Sequence, residues 1–89
     1  MLVTLSRDAA CFVRTTRAAG TPKGLVDAVR RGDFTDGRCH LRCTRPEALA
    51  LRDWLRAQAA AMRPTRRATA DMLATAAAEV SAAIALDQP

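Results

Sequence analysis

The stretch from Arg66 to Leu86 constrains this chain more than any other. On a helical wheel Thr69, Met72, Leu73, Ala76, Ala77, Val80, Ala83 and Ile84 share one broad apolar face, as in a helix packed on a core. The opposite face offers Ala74, Ala78, Ala82 and Ala85, and between residues 68 and 86 the only charges are Asp71 and Glu79. A helix that is apolar all round is normally covered on both sides. With 89 residues in all, the chain has little material to cover it twice. The back face is therefore expected to meet a second copy of the chain or a different protein, and small Ala side chains permit close backbone approach. The competing explanation is that Ala is the best helix former and tolerates water, so an exposed Ala stripe needs no partner. Leu49, which points away from the inward face of its own helix, is a weaker sign of the same kind.

The other elements are shorter. Val3 and Leu5 flank Thr4 as in a short strand over about 2–5, and Ser6 is a candidate helix N-cap. Ala9, Phe12, Val13, Thr16 and Ala19 then recur at helical spacing over 7–19, with Gly20 as the stop. A hairpin reading competes, because Cys11 to Thr16 is rich in β-formers, but no Asn-Gly or Asp-Gly stands at its turn near Arg7-Asp8. Thr21-Pro22 opens a short helix over 22–31. Asp33 to Gly37 reads as a turn with Phe34 tucked under the core. Arg38 to Thr44 alternates, Cys39, Leu41 and Cys43 on one side, as a half-buried strand over 38–44 does. Thr44-Arg45-Pro46-Glu47 has the form of a capping box and predicts a helix over 46–62 with Ala48, Leu51, Trp54, Leu55, Ala59 and Met62 inward. Pro64 ends it, and Thr65 can cap the last helix over 66–86. The expected fold is one α+β domain, mainly helical: a two-stranded sheet and four helices, the last two a helical hairpin. At an offset of 38 residues Ser6-Arg7 aligns with Thr44-Arg45 and Val13-Arg14 with Leu51-Arg52, a faint repeat of strand, cap and helix.

A net charge of +5 invites a nucleic-acid reading, since cations gain affinity for phosphate by releasing counterions. Thirteen of the 14 basic residues are Arg and Ala fills 20 positions, a bias that GC-rich coding produces without selection for binding. The sharpest form of this reading is a stripe: Arg52, Arg56 and Arg63 beside the apolar face of their helix, Arg66 and Arg67 after the turn, and Arg38, Arg42 and Arg45 before it. Phe12, Phe34 and Trp54 are assigned to the core, which leaves no platform for base stacking.

Catalytic and metal readings find less. Cys39, His40 and Cys43 hold zinc-ligand types, but residues four apart in a strand lie roughly 13 Å apart, too far to share one ion. His40 is the only histidine and stands between Arg38 and Arg42, with no nucleophile, Gly-rich phosphate loop or paired carboxylates to complete a site. Neither an enzyme, a cofactor nor a small-molecule substrate is expected. Three cysteines, with no secretory pattern in MLVTLSRD, read as reduced thiols. No uninterrupted apolar run reaches the roughly 18 residues of a membrane span. The expectation is a cytoplasmic, non-catalytic adaptor, inhibitor or regulator that binds itself or another protein, with nucleic-acid binding as the alternative.

Overall fold

The computed structural model describes residues 1–16 and 23–87. In chain order the elements are β1 (Leu2–Ser6), α1 (Arg7–Thr15), α2 (Lys23–Arg30), β2 (Asp33–Thr35), β3 (Arg38–Arg42), α3 (Arg45–Met62) and α4 (Arg67–Leu86). The fold is α+β and mainly helical, as the sequence implies, but the sheet has three strands rather than two, in the order β1-β3-β2. Both pairings are antiparallel. Val3 faces Leu41 and Leu5 faces Cys39, so these four side chains share one side of the sheet and all are buried. The helices add Val13, Val29, Leu51, Leu55, Leu73 and Val80 to the same cluster. Full burial of each Leu or Val is worth about 1.5–3 kcal/mol. The opposite side of the sheet carries Thr4, Ser6, Arg38, His40 and Arg42, none of them buried.

The third strand comes from turn chemistry. Asp36 and Gly37 take positive φ, 54° and 75°, the conformation of a two-residue type I′ hairpin turn. This turn folds Asp33–Thr35 back on Arg38–His40. Phe34 lies opposite Cys39 but is 43% exposed, so it is not tucked under the core as expected; β2 is the edge strand, and the Arg14 guanidinium covers the ring at 5.7 Å. Gly32, just before β2, is held by a close approach. A Cβ there would sit 2.7 Å from the Cys39 sulfur.

Ser6 caps α1 as expected, its hydroxyl accepting from the Ala9 amide at 3.2 Å. The helical reading of this segment holds, but the helix stops at Thr15, short of 19. Thr16 is already extended, and the Thr15 hydroxyl bonds the Cys11 carbonyl at 2.8 Å. Two successive β-branched residues are poor helix formers, so no glycine is needed for the stop. Ala19, Gly20 and the Thr21-Pro22 cap lie outside the described residues. β3 ends at Arg42, two residues earlier than expected, although Cys43 and Met1 still exchange backbone bonds of 2.8 and 3.0 Å.

Both halves of the capping box at α3 are formed: the Thr44 amide donates to Glu47 Oε1 at 2.8 Å and the Glu47 amide to Thr44 Oγ1 at 3.3 Å. Hydrogen bonding to Thr44 holds the Glu47 carboxyl below its ordinary range. The start of α4 is different. Thr65 does not cap it; Arg66 occupies that position with no side-chain hydrogen bond.

Candidate interaction surface

The α3–α4 hairpin is antiparallel, and arginines sew it together along its length. Arg63 pairs with Asp71 at 3.3 Å near the turn. Arg56 donates to the Ser81 hydroxyl at 3.3 Å further along. At the far end Arg45 donates to the Ile84 carbonyl at 3.3 Å, where a cation suits the last turn of a helix. Arg38 reaches from β3 to Glu79 of α4 at 3.6 Å, and Arg52 folds onto its neighbour Asp53 at 3.0 Å.

These contacts change what the arginine stripe can do. Five of its eight members, Arg38, Arg45, Arg52, Arg56 and Arg63, are engaged with the protein's own acids, hydroxyl or carbonyl. Each remains at least partly open to solvent, so each pair adds little stability. Arg42, Arg66 and Arg67 are exposed and have no acidic partner among the described residues. A continuous track of eight free guanidinium groups is not formed.

The back of α4 is open. Ala78, Ala82 and Ala85 are exposed, joined by Thr75 and by Leu86 at 87%. From Thr75 to Leu86 the one charge beside this outward stripe is Glu79, half-buried and paired with Arg38 at 3.6 Å, and Asp71 stands at its start. Ala74 is half-buried instead, because it lies on the flank toward α3. There it lines a hollow of about 310 Å³ with Ala59, Ala60, Ala77, Ala78, Arg56 and Arg63. Leu49 is likewise half-buried and packs against the core cluster. The structure thus brings three of the five proposed partner-binding residues together on one exposed strip.

α4 has 20 residues, and its most apolar window has a mean hydropathy of 1.3, long and apolar enough by these measures to cross a membrane. The expectation that nothing in the chain reaches that length counted an unbroken run, whereas Ala dilutes Asp71 and Glu79 in an average. One face of α4, through Leu73, Ala76, Ala77, Val80 and Ile84, is fixed in the core.

Cys39 and Cys43 are buried, and burial pushes both thiols up. Cys39 lies 3.9 Å from the Val29 carbonyl. Cys11 is exposed. Among the described residues no group of three His, Cys, Asp or Glu side chains is placed to hold a metal. His40 Nδ1 lies 3.1 Å from the Thr4 hydroxyl, an in-register contact on the outer face of the sheet that the sequence reading missed. The signal was the period-two alternation of both strands, usable only once their register is known. No protein-family model, curated protein or solved structure matches the chain.

Proposed function

We propose that this protein is a non-catalytic interaction module, a small adaptor, inhibitor or regulator, that associates with a second copy of itself through the outward stripe of α4. One observation carries the reading: a strip through Ala78, Ala82, Ala85 and Leu86 that is exposed and apolar, its one flanking charge within 75–86, Glu79, already paired with Arg38, on a protein whose net charge is +5. A net positive charge opposes self-association wherever cations would be brought together. On this strip two copies meet across a twofold axis without bringing cations together, and Ala lets the helices approach closely. The test is the mass in solution. Ala78→Glu with Ala82→Glu is expected to convert a dimer to a monomer by light scattering while the far-UV spectrum is unchanged. A wild-type chain that is monomeric at all concentrations and salt levels overturns self-association.

The second reading, nucleic-acid binding, keeps the support of Arg42, Arg66 and Arg67, which have no acidic partner among the described residues. It predicts binding that falls steeply with salt and weakens for every sequence alike in Arg66→Ala with Arg67→Ala.

A further inference from the structure

A row of unlike groups crosses the outer face of the sheet. Thr4, His40 and Asp33 occupy facing positions on β1, β3 and β2, so their side chains stand on the same side. The backbone bonds between Met1 and Cys43 fix the alternation of the β1–β3 ladder. They make Thr4 and His40 a non-hydrogen-bonded pair, the kind whose side chains come closest. Their 3.1 Å contact holds the imidazole by Nδ1 and leaves Nε2 without a protein partner among the described residues. Beside this row is a hollow of about 220 Å³ lined by Leu2, Ala28, Arg31, Asp33, His40 and Arg42.

The charges around that hollow are unresolved. Arg31 comes from the end of α2 and Arg42 from β3. Among the described residues neither guanidinium has a carboxylate within 4.0 Å and Asp33 forms no ion pair, although Arg31 lies near enough to Glu47 to help hold that carboxyl down. This contrasts with Arg38, Arg52 and Arg63, each of which has found an acid. Leu2, 57% exposed, forms an apolar wall, and buried Ala28 lies at the inner side. Guanidinium groups are planar forks suited to a carboxylate or phosphate, and two of them with an imidazole make three donors around one oxyanion.

We propose that this hollow is a binding site for a small ligand with one oxyanion head group, carboxylate or phosphate, and a short apolar body. Arg31, Arg42 and His40 Nε2 hold the head group, and the apolar part covers Leu2. Asp33 repels a second negative charge and so favours a carboxylate over a phosphate dianion. The Thr4 hydroxyl is a positioning group that fixes the imidazole. The site shares no residue with the outward stripe of α4, so it stands or falls independently of self-association.

His40 is the only histidine, so its ring protons are a single reporter in a proton NMR titration of the whole protein. Inorganic phosphate, acetate and butyrate are added separately at constant ionic strength balanced with chloride. The expected result is a saturable shift of the ring signals, with phosphate against acetate deciding the head group and butyrate exceeding acetate about threefold through Leu2. Arg31→Ala with Arg42→Ala should weaken binding about tenfold or more, and Asp33→Asn should tighten it several-fold, roughly the worth of one solvent-exposed charge–charge contact. Arg31, Asp33 and Arg42 are exposed, so these variants keep the core, and an unchanged far-UV spectrum checks it. Shifts that follow ionic strength without saturating, or that are the same in the double Arg variant, overturn the site.

Discussion

α3 and α4 are two helices of 18 and 20 residues lying side by side, and they are built for different surroundings. α3 opens with a complete capping box, and its outer side carries Asp53 and Arg56 between the alanines. α4 starts at Arg66 without a side-chain cap, and its outer side carries Asp71 at one end and Glu79, paired with Arg38, at the edge of the alanine stripe. Their inner faces are alike: Leu51 and Leu55 on one, Leu73 and Val80 on the other, all essentially closed to solvent. The difference therefore lies outside the core. Packing accounts for the inner side of each helix; outside it α3 sets Asp53 and Arg56 among its exposed alanines, whereas the exposed Ala78, Ala82 and Ala85 of α4 run into Leu86. The α4 start gains its order from Arg63–Asp71 and from the hairpin rather than from local capping.

The inner faces provide the largest test of this comparison. Leu55→Ala and Leu73→Ala should each cost about 2–5 kcal/mol in denaturant unfolding, since both remove a fully buried side chain from the same cluster. Equal losses mean that the helices share one core. A loss at Leu73 well below that range would show α4 to be loosely docked, and its bare outer face would then need no partner.

Capping comes next in size. Thr44→Ala should cost about 1 kcal/mol, as capping hydroxyls usually do, while Arg66→Asp should stabilise α4 by a comparable or smaller amount. The first effect is pH-dependent. Glu47 has its carboxyl held below the ordinary 4.5 by Thr44. A depressed carboxyl contributes stability above its unfolded pKa and loses it as the pH falls through the folded one. Thr44→Ala keeps the backbone amide that does most to hold Glu47 down and loses only the hydroxyl's share, so the gap to wild type should narrow, without closing, on acidification below about 4.5. A gap that widens in acid would contradict the capping box as the source. Smaller still, Arg45→Ala and Arg63→Ala should each cost roughly 1 kcal/mol or less, because these contacts are partly solvated.

How much of this was legible depends on how far apart the interacting groups lie. The Thr44–Glu47 box spans three residues and both groups are visible in the sequence, so it is read correctly. The arginine contacts span eight, 25 and 39 residues, and nothing local marks Arg63, Arg56 and Arg45 as the seam of a hairpin rather than a phosphate track. β2 was missed for another reason. Asp36-Gly37 is a strong hairpin signal, but the strand before it has three residues and one apolar side chain, too few to display alternation. The exposure of Phe34 follows from the same edge position, where Arg14 rather than the core covers the ring. Thr4–His40 needs a register that neither strand states alone.

The last effect is expected to be close to zero in stability and large in mass, which makes it the sharpest discriminator between the two helices. Ala57 and Ala61 are exposed on α3 just as Ala78 and Ala82 are on α4, so the same double Glu substitution can be placed on either helix. Exposed substitutions of this type usually change stability by no more than about 0.5 kcal/mol each, so neither pair should unfold the domain. If the alanine stripe of α4 is an interface, only Ala78→Glu with Ala82→Glu lowers the mass in light scattering, because two acidic side chains are then desolvated against their own copies. Ala57→Glu with Ala61→Glu leaves it alone, since α3 already carries Asp53 and Arg56 on that side. A fall in mass with both pairs would trace to net charge, which drops from +5 by two in either case, and not to the stripe.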